Sequence, residues 1–171
     1  NILDFSRLES GRKDFDPIEL DLGQVVRDTL DEFEPVFDEQ HFEVAVDVDN
    51  DLPVIHADRE ALATAVANLV GNAVKYSSAE REIDIRVYAV KAEVCVDISD
   101  RGIGIPETER VVVFDKYRRA SNVAGRATGT GLGLALVAGI VTSHRGSVEV
   151  LARDGGGTTV SMKFPIHKKL T

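Results

Sequence analysis

The sequence predicts an α/β fold of the α+β kind, a two-layer sandwich in which helices cover one face of a mixed, mostly antiparallel sheet. Five segments alternate apolar and polar residues with a period of two, which is typical of strands with one buried face. Four other segments are predicted helices, and the strongest of them carries a broad apolar stripe. Glycine-rich and proline-containing turns separate several of these elements.

Two helices are predicted near the N-terminus. One helical face is shared by Ile2, Leu3, Phe5 and Leu8, and Gly11 ends the run. We expect Phe5 and Leu8 to face a partner helix in a dimer rather than the core. Apolar residues at helical spacing between positions 22 and 37 predict the second helix, with an irregularity at Pro35.

The first strand and the strongest helix follow. Phe42–Val48 has a large apolar residue at every second position, and Asn50–Pro53 is a turn. Asp58 is a suitable N-cap for a helix from Arg59 to about Tyr76. The remaining elements are the strands Ile83–Val87 and Val94–Ile98, a polar irregular stretch at 120–130, the helix Gly131–His144, and the strands Ser147–Ala152 and Thr158–Phe164, which Asp154–Gly157 joins.

The composition excludes several classes of protein. A formal net charge of −9 at pH 7 argues against nucleic acid as a partner, because phosphate backbones bind clustered positive charge. The one cysteine, Cys95, excludes an intrachain disulfide and favours a cytoplasmic compartment. No apolar run is long enough to span a bilayer. Because Asn1 already lies within an amphipathic pattern, we expect a piece of a longer protein, with any membrane segment upstream.

Three polar residues share one face of the strongest helix. Asn68, Asn72 and Lys75 stand at i, i+4 and i+7, although asparagine is a poor helix former. A carboxamide oxygen is a suitable neutral ligand for Mg²⁺, and a lysine can meet a phosphate charge. The alternative for this pattern alone is a polar surface stripe with no ligand.

Two glycine-rich segments are candidates for close ligand contact. Asp100–Pro106 follows a strand directly, so its carboxylate could accept a hydrogen bond from an amine such as that of adenine. Gly129–Leu134 opens a helix, where free N–H groups and the helix dipole attract phosphate. It is neither a Walker A loop nor a dinucleotide fingerprint. Taken alone, Asp100–Pro106 is also consistent with a plain turn.

The order of these segments resembles the catalytic ATP-binding domain of bacterial sensor histidine kinases, which have the Bergerat ATP-binding fold. Asn68–Ser77 is similar to the N box of that family, and Asp100–Pro106 to its G1 box. Val113–Arg119 is similar to the F box and Gly129–Leu134 to the G2 box. Leu3–Gly11 resembles the last turns of the preceding dimerisation helix. The resemblance covers essentially the whole chain.

This resemblance implies a domain division, a reaction and partners. Residues 1–12 would be the C-terminal end of the dimerisation and phosphoacceptor hairpin, and 13–171 the catalytic ATP-binding domain. The domain would bind ATP with Mg²⁺ and transfer the γ-phosphoryl group to a histidine on the absent dimerisation domain. The partners would be the dimerisation helices of a homodimer and the receiver domain of a response regulator. The location would be cytoplasmic, in a receptor that reaches a membrane only through upstream segments.

The resemblance also implies roles for residues near the base and the metal. Asn72 would hold Mg²⁺, Asn68 would lie beside the phosphates, and Lys75 would contact a phosphate. Tyr76 would pack near adenine, and Asp100 would accept a hydrogen bond from the adenine amino group. The residues that would let the base fit are Gly102, Gly104 and Ile105.

The resemblance also implies which residues would contact the phosphates. Residues 120–128 would form a mobile lid, from which Arg119 or Arg126 would approach the γ-phosphate. The phosphates would lie against Thr128, Gly129, Thr130, Gly131, Leu132 and Gly133. Three positions depart from the family pattern: Arg101 stands where Asn is common, Tyr117–Arg118 replaces an aromatic pair, and Arg145 stands where glycine is frequent.

Several alternatives remain open. Related ATPases carry a glutamate where this chain has Asn68, and a carboxamide cannot take a proton from water. Asn68 therefore favours transfer over hydrolysis, and it also disfavours a serine-directed anti-sigma kinase. A degenerate nucleotide-binding module without catalysis is a further alternative. None of His41, His56, His144 and His167 precedes a Glu-x-x-x-Pro pattern, so we expect all four to be structural or exposed and the acceptor to lie upstream.

Overall fold

The computed structural model describes residues 2–123 and 131–168. Its strands are β1 (Ile18–Leu20), β2 (Glu43–Val48), β3 (Ile55–Ala57), β4 (Glu82–Val90), β5 (Glu93–Asp100), β6 (Ser147–Ala152) and β7 (Thr158–Pro165). Five of them form a sheet in the order β2–β4–β5–β7–β6. Only the β2–β4 pair is parallel among the strand pairs of this described sheet. The mixed, mostly antiparallel sheet is therefore confirmed.

Helices cover one face of this sheet, as predicted. They are α1 (Ile2–Glu9), α2 (Leu22–Glu39), α3 (Arg59–Lys75) and α4 (Gly133–Ser143), with short 3₁₀ turns at Glu107–Glu109, Val112–Phe114 and Ser121–Val123. The inward-facing side chains of β4 and β5 are almost completely buried against them. Asp58 caps α3 as predicted, because its carboxylate accepts a hydrogen bond of 2.9 Å from the N–H of Ala61.

The N-terminal helix differs from the prediction. Phe5 is 8% exposed and belongs to the core, and Leu8 packs against Gly139 of α4. The expectation that Phe5 and Leu8 face a partner helix was therefore wrong. Ile2 and Leu3 are the exposed apolar residues of this helix. The amphipathic pattern correctly predicted a helix here, but periodicity does not say which surface a helix packs against.

Helix α2 continues through Pro35 to Glu39 without the expected irregularity. Aromatic contacts stabilise its last turn. The rings of Phe33 and Phe37 stack with centroids 5.9 Å apart, and the Phe37 ring lies 6.2 Å from that of Phe42. We infer that this packing offsets the hydrogen bond that a proline cannot donate.

A second, two-stranded sheet lies beside the main one and was not predicted. Ile18 pairs with Ala57, and Leu20 pairs with Ile55. His144 links this region to α4, since its Nε2 accepts a hydrogen bond of 3.1 Å from the N–H of Asp58. Its Nδ1 therefore carries the proton and donates to the Ile140 carbonyl at 2.7 Å. The structural role predicted for this histidine is confirmed.

Cys95 is 2% exposed, and burial raises the pKa of its thiol, as is typical of a packed, unreactive cysteine. Across residues 2–123 and 131–168, the structure contains no helix with the length and apolar character needed to cross a bilayer.

Candidate nucleotide-binding site

A cleft of about 230 Å³ opens between α3, the end of β5 and the start of α4. It is lined by residues from all four of the motifs identified in the sequence. The polar and charged side chains among them are Asn68, Asn72, Lys75, Tyr76, Asp100, Arg118, Arg119 and Thr158. The fold therefore brings together side chains that are separated by as many as 90 positions in the chain.

One wall of the cleft is the polar face of α3. Asn68, Asn72 and Lys75 all line it, so this polar face of α3 opens onto a cavity. The Asn68 Nδ2 donates to the Thr64 carbonyl at 2.8 Å, which fixes the orientation of the carboxamide. Its Oδ1 faces α4, only 3.3 Å from where a side chain on Gly133 would begin. Within residues 2–123 and 131–168, the Asn72 carboxamide makes no hydrogen bond.

Asp100 lies at the end of β5, in the inner part of the cleft. Its Oδ1 accepts a hydrogen bond of 2.8 Å from the N–H of Gly102, and the N–H of Thr158 donates to the same carboxylate. Burial raises the pKa of the Asp100 carboxyl, while these two hydrogen bonds and the charge of Arg153 oppose the rise. The carboxylate is thus held in place and retains acceptor capacity toward the cleft.

Apolar side chains surround this carboxylate. The cleft is lined beside Asp100 by Ala73, Ile98, Ile103, Ile105, Val113 and Val160. Several of them belong to a small hydrophobic cluster built on Val113, Ala120 and Val150, separate from the main core. An apolar lining beside a half-buried carboxylate acceptor fits a planar heterocycle that carries an amino group.

The arginine-bearing segment packs closely beneath the start of α4. Tyr117 has φ of 57°, and a Cβ on Gly131 would lie 2.7 Å from the Tyr117 carbonyl carbon. Gly131 itself has φ of 72°, so both space and backbone conformation favour glycine there. Arg118 and Arg119, which follow Tyr117 in the chain, line the cleft. No side chain caps α4 among the described residues, so its first N–H groups are available to an anion.

The segment that leads toward the lid is anchored by hydrogen bonds at Ser121 and Asn122. Ser121 donates to Glu109 through its N–H at 2.8 Å and its hydroxyl at 2.6 Å, and these bonds lower the pKa of Glu109. The Asn122 side chain donates to the Gly104 carbonyl at 2.9 Å. The first residues of the predicted lid are therefore tied to the loop after Asp100.

Most of the predicted site residues lie at this cleft. Those that line it are Asn68, Asn72, Lys75, Tyr76, Asp100, Gly104, Ile105, Arg119, Gly131 and Gly133. Gly102 supports the cleft from behind. Leu132 is only 1% exposed and does not line the cleft. Four predicted residues lie outside the described chain, namely Arg126, Thr128, Gly129 and Thr130.

Sequence reasoning missed Thr158 and Arg118 as lining residues. Thr158 begins β7 opposite Asp100, a register that no local pattern reveals. The signal available for it was its position directly after three consecutive glycines, which mark a close backbone approach. For Arg118, the signal was its place beside Arg119 in an acidic chain.

Comparisons with known proteins agree with this geometry. Residues 57–168 match the family model described as histidine kinase-, DNA gyrase B-, and HSP90-like ATPase. The chain is 31% identical over 165 residues to the sensor-like histidine kinase SenX3 of Mycobacterium tuberculosis. That alignment covers 96% of this chain and 40% of the relative. It is 32% identical to sensor protein KdpD of Escherichia coli, covering 96% of this chain and 18% of the relative.

Among solved structures, full-length ShkA in complex with AMPPNP superposes with a TM-score of 0.84 at 26% identity. The superposition covers 99% of this chain and 35% of that one. The mycobacterial sensor histidine kinase MprB gives a TM-score of 0.73 at 27% identity, over 91% of this chain and 100% of that one. The chain thus spans less than half the length of the SenX3 and KdpD relatives.

Proposed function

Because this chain belongs to the histidine kinase-, DNA gyrase B-, and HSP90-like ATPase family and is the catalytic ATP-binding domain of a sensor histidine kinase, we propose that it binds Mg-ATP in the cleft described above and transfers the γ-phosphoryl group to a histidine outside the chain. One observation carries this proposal. A half-buried carboxylate, two carboxamides and the start of a helix without a side-chain cap line the same cleft. Phosphoryl transfer needs positioning and charge neutralisation more than covalent help.

The adenine base occupies the apolar part of the cleft in this proposal. Asp100 accepts a hydrogen bond from the adenine amino group, and Ile105 contacts the ring. Gly102 and Gly104 keep the backbone close to the base. The Tyr76 ring lies at the edge of the same apolar cluster, with the Lys75 Nζ 5.2 Å from its centroid. This contact places the Lys75 ammonium where the part of the cleft assigned to the base meets the part assigned to the phosphates.

The triphosphate lies along the start of α4. The free N–H groups beyond Gly131 and Gly133 donate to phosphate oxygens, and the helix dipole adds positive potential. Asn68 adds a polar contact from α3, and the catalytic charges come from Lys75 and Arg119. We also assign phosphate contacts to residues outside the described chain, namely Arg126, Thr128, Gly129 and Thr130, with residues 120–128 acting as a lid that closes over the nucleotide.

Asn72 is suited to hold a magnesium ion. Its carboxamide lines the cleft one helical turn beyond Asn68, and its oxygen is not used by any hydrogen bond within residues 2–123 and 131–168. In the same residues there is no group of three His, Cys, Asp or Glu side chains arranged to bind a metal. A single neutral oxygen is a fitting ligand for Mg²⁺, which keeps waters and substrate phosphates around it. When bound, the ion neutralises phosphate charge.

Replacing Asn72 by alanine is expected to weaken ADP binding about tenfold in the presence of Mg²⁺, the effect of losing roughly 1.4 kcal/mol from one ligand. With EDTA in place of the metal, the same substitution should change affinity less than about twofold, because the carboxamide then has no charged partner. Isothermal titration of wild type and variant under both conditions measures the difference. Equal losses with and without magnesium would contradict the ligand role.

Transfer rather than hydrolysis is favoured by Asn68. Its Nδ2 is engaged with the Thr64 carbonyl and its carboxamide has no basic site, so it cannot activate a water molecule. In this proposal the acceptor histidine lies upstream of Asn1, in the dimerisation and phosphoacceptor hairpin. Residues 1–12 are the C-terminal end of that hairpin, and residues 13–171 are the catalytic domain. His144 is unsuited as an acceptor, because both of its ring nitrogens are occupied by backbone hydrogen bonds.

The full protein would therefore work as a homodimer, with the cytoplasmic catalytic domain serving the dimerisation helices and a response regulator. We expect the 171-residue chain, incubated with radiolabelled Mg-ATP, to bind nucleotide without acquiring acid-labile phosphate. A longer chain that includes the upstream hairpin should acquire acid-labile, alkali-stable label on a histidine. Labelling of the short chain itself would place the acceptor within it. Rapid phosphate release by both chains would indicate a hydrolase instead.

A further inference from the structure

The 3₁₀ turn that follows Ala120 is held in place by Glu109. The Glu109 carboxylate accepts hydrogen bonds from the Ser121 N–H at 2.8 Å and from the Ser121 hydroxyl at 2.6 Å, one on each of its oxygens. The N–H belongs to the peptide that joins Ala120 to Ser121, so this bond fixes the backbone directly beside Ala120. Glu109 itself does not line the nucleotide cleft. It can therefore act on the cleft only through its neighbours.

Asn122, in the same turn, holds the loop that follows Asp100. Its Nδ2 donates to the Gly104 carbonyl at 2.9 Å and to the Ile103 carbonyl at 3.4 Å. The Ile103 N–H donates to the Tyr76 carbonyl at 3.3 Å, so the loop is bonded both to the end of α3 and to Asn122. Asn122 does not line the cleft either. Its carboxamide serves the backbone of a loop that does.

Ala120 connects these two anchors to the apolar part of the cleft. It is 6% exposed and belongs to the small hydrophobic cluster that contains Val113, against which Ile103 and Ile105 pack. All four residues line the cleft. An alanine has no side-chain rotamers, so the place of its methyl group is set by the backbone alone. The hydrogen bonds at residues 121 and 122 therefore decide where this wall of the cleft stands.

We propose that Glu109 and Asn122 are positioning residues for adenine, which hold Ala120 and the loop Ile103–Ile105 in the arrangement that the base contacts. This inference rests on the proposed nucleotide-binding function. Apolar walls that are already in place bind a planar base without having to be ordered first. When either anchor is lost, ordering the wall takes part of the binding free energy. Residues 120–122, the first of those assigned to the lid, thereby serve the base.

The alternative is that the anchors act on the phosphates. Arg118 and Arg119 directly precede Ala120 and also line the cleft. Two observations favour the base. The bonds from Asn122 end on the loop after Asp100, which lies in the part of the cleft assigned to adenine, and the side chain next to the anchored peptide is the apolar one of Ala120. The two assignments differ in which ligands each anchor affects.

Asn122→Ala is expected to raise the dissociation constant of ADP about tenfold, and Glu109→Ala about fivefold. Adenosine, which has the base but no phosphate, should lose affinity by the same factor in each variant. Calorimetric titration measures ADP binding, and chemical-shift titration measures the weaker binding of adenosine. Circular dichroism with a thermal melt verifies the fold. A loss confined to ADP would assign the anchors to the phosphates and overturn the proposal, as would unchanged affinity for both ligands in a folded variant.

Glu109→Gln separates hydrogen bonding from charge. The glutamine oxygen can accept from the Ser121 N–H while its NH₂ donates to the Ser121 hydroxyl oxygen, so both bonds persist without the charge. Both ligands should therefore bind within about twofold of wild type. If Glu109→Gln loses as much affinity as Glu109→Ala, the carboxylate acts through its charge and the positioning role is wrong.

Glu107→Ala is the matched control for removing a negative charge near the cleft. Glu107 begins the same 3₁₀ turn as Glu109 and is exposed, and its carboxylate makes no hydrogen bond or ion pair within residues 2–123 and 131–168. This variant should bind both ligands as wild type does. A loss equal to that of Glu109→Ala would contradict the role of the Ser121 bonds. Absence of ADP binding by wild type would instead overturn the proposed function.

Discussion

Asp100→Asn is expected to lower the affinity for ATP and ADP by at least about a hundredfold, corresponding to roughly 3 kcal/mol. The carboxylate accepts from the N–H groups of Gly102 and Thr158 and retains an acceptor site toward the cleft. Asparagine has nearly the same shape but replaces one oxygen by a donor. If its amide oxygen meets the backbone N–H groups, its NH₂ meets the adenine amino group. The opposite orientation sets NH₂ against the backbone donors, so both orientations lose a hydrogen bond.

Calorimetric titration with ADP measures this loss, and circular dichroism with a thermal melt verifies the fold. Asp97→Asn is the matched control. Asp97 lies on the same strand but on the opposite face, where it accepts a hydrogen bond of 3.0 Å from the Tyr88 hydroxyl. We expect it to bind ADP as wild type does. Unchanged affinity in Asp100→Asn would show that the base does not contact this carboxylate.

Helical periodicity was sufficient to predict one wall of the cleft. Residues at i, i+4 and i+7 of a helix must share a face, so Asn68, Asn72 and Lys75 could be grouped without a structure. The apolar stripe on the other side of α3 fixes which face turns to the core. Asp100 was predictable for a similar reason, because alternation in β5 marks the strand end at which the chain turns into glycines.

Contacts between distant segments could not be predicted in this way. The β1–β3 sheet joins two segments of three residues each, too short to show any period, and its register depends on packing against α4. Thr158 reaches Asp100 only through the β5–β7 pairing. The direction of Arg101 was equally hidden, since its partners lie on β4 and in the β6–β7 turn. In each case a long-range pairing decided the outcome.

Gly102→Ala is expected to disrupt the cleft from behind and to weaken ADP binding at least about tenfold, with a loss of about 1–3 kcal/mol in stability from overpacking. A Cβ at this position would lie 2.3 Å from the Tyr76 carbonyl oxygen and 2.9 Å from the Asp100 Oδ1. The first atom belongs to the backbone at the C-cap of α3, whose N–H is bonded to the Asn72 carbonyl, so it cannot rotate away. The loop must therefore move, and it carries the N–H that orients Asp100.

Gly71→Ala provides the control on α3 itself. A Cβ there meets nothing within 4 Å, and alanine is the better helix former, so this variant should gain about 0.5–1 kcal/mol and bind ADP normally. Thermal melts and ADP titrations of the two variants separate a general intolerance of alanine from a specific close approach. Equal results for Gly102→Ala and Gly71→Ala in both measurements would show that the loop after β5 can accommodate a side chain at position 102. The packing of Gly102 against the backbone of α3 would then not be what orients Asp100.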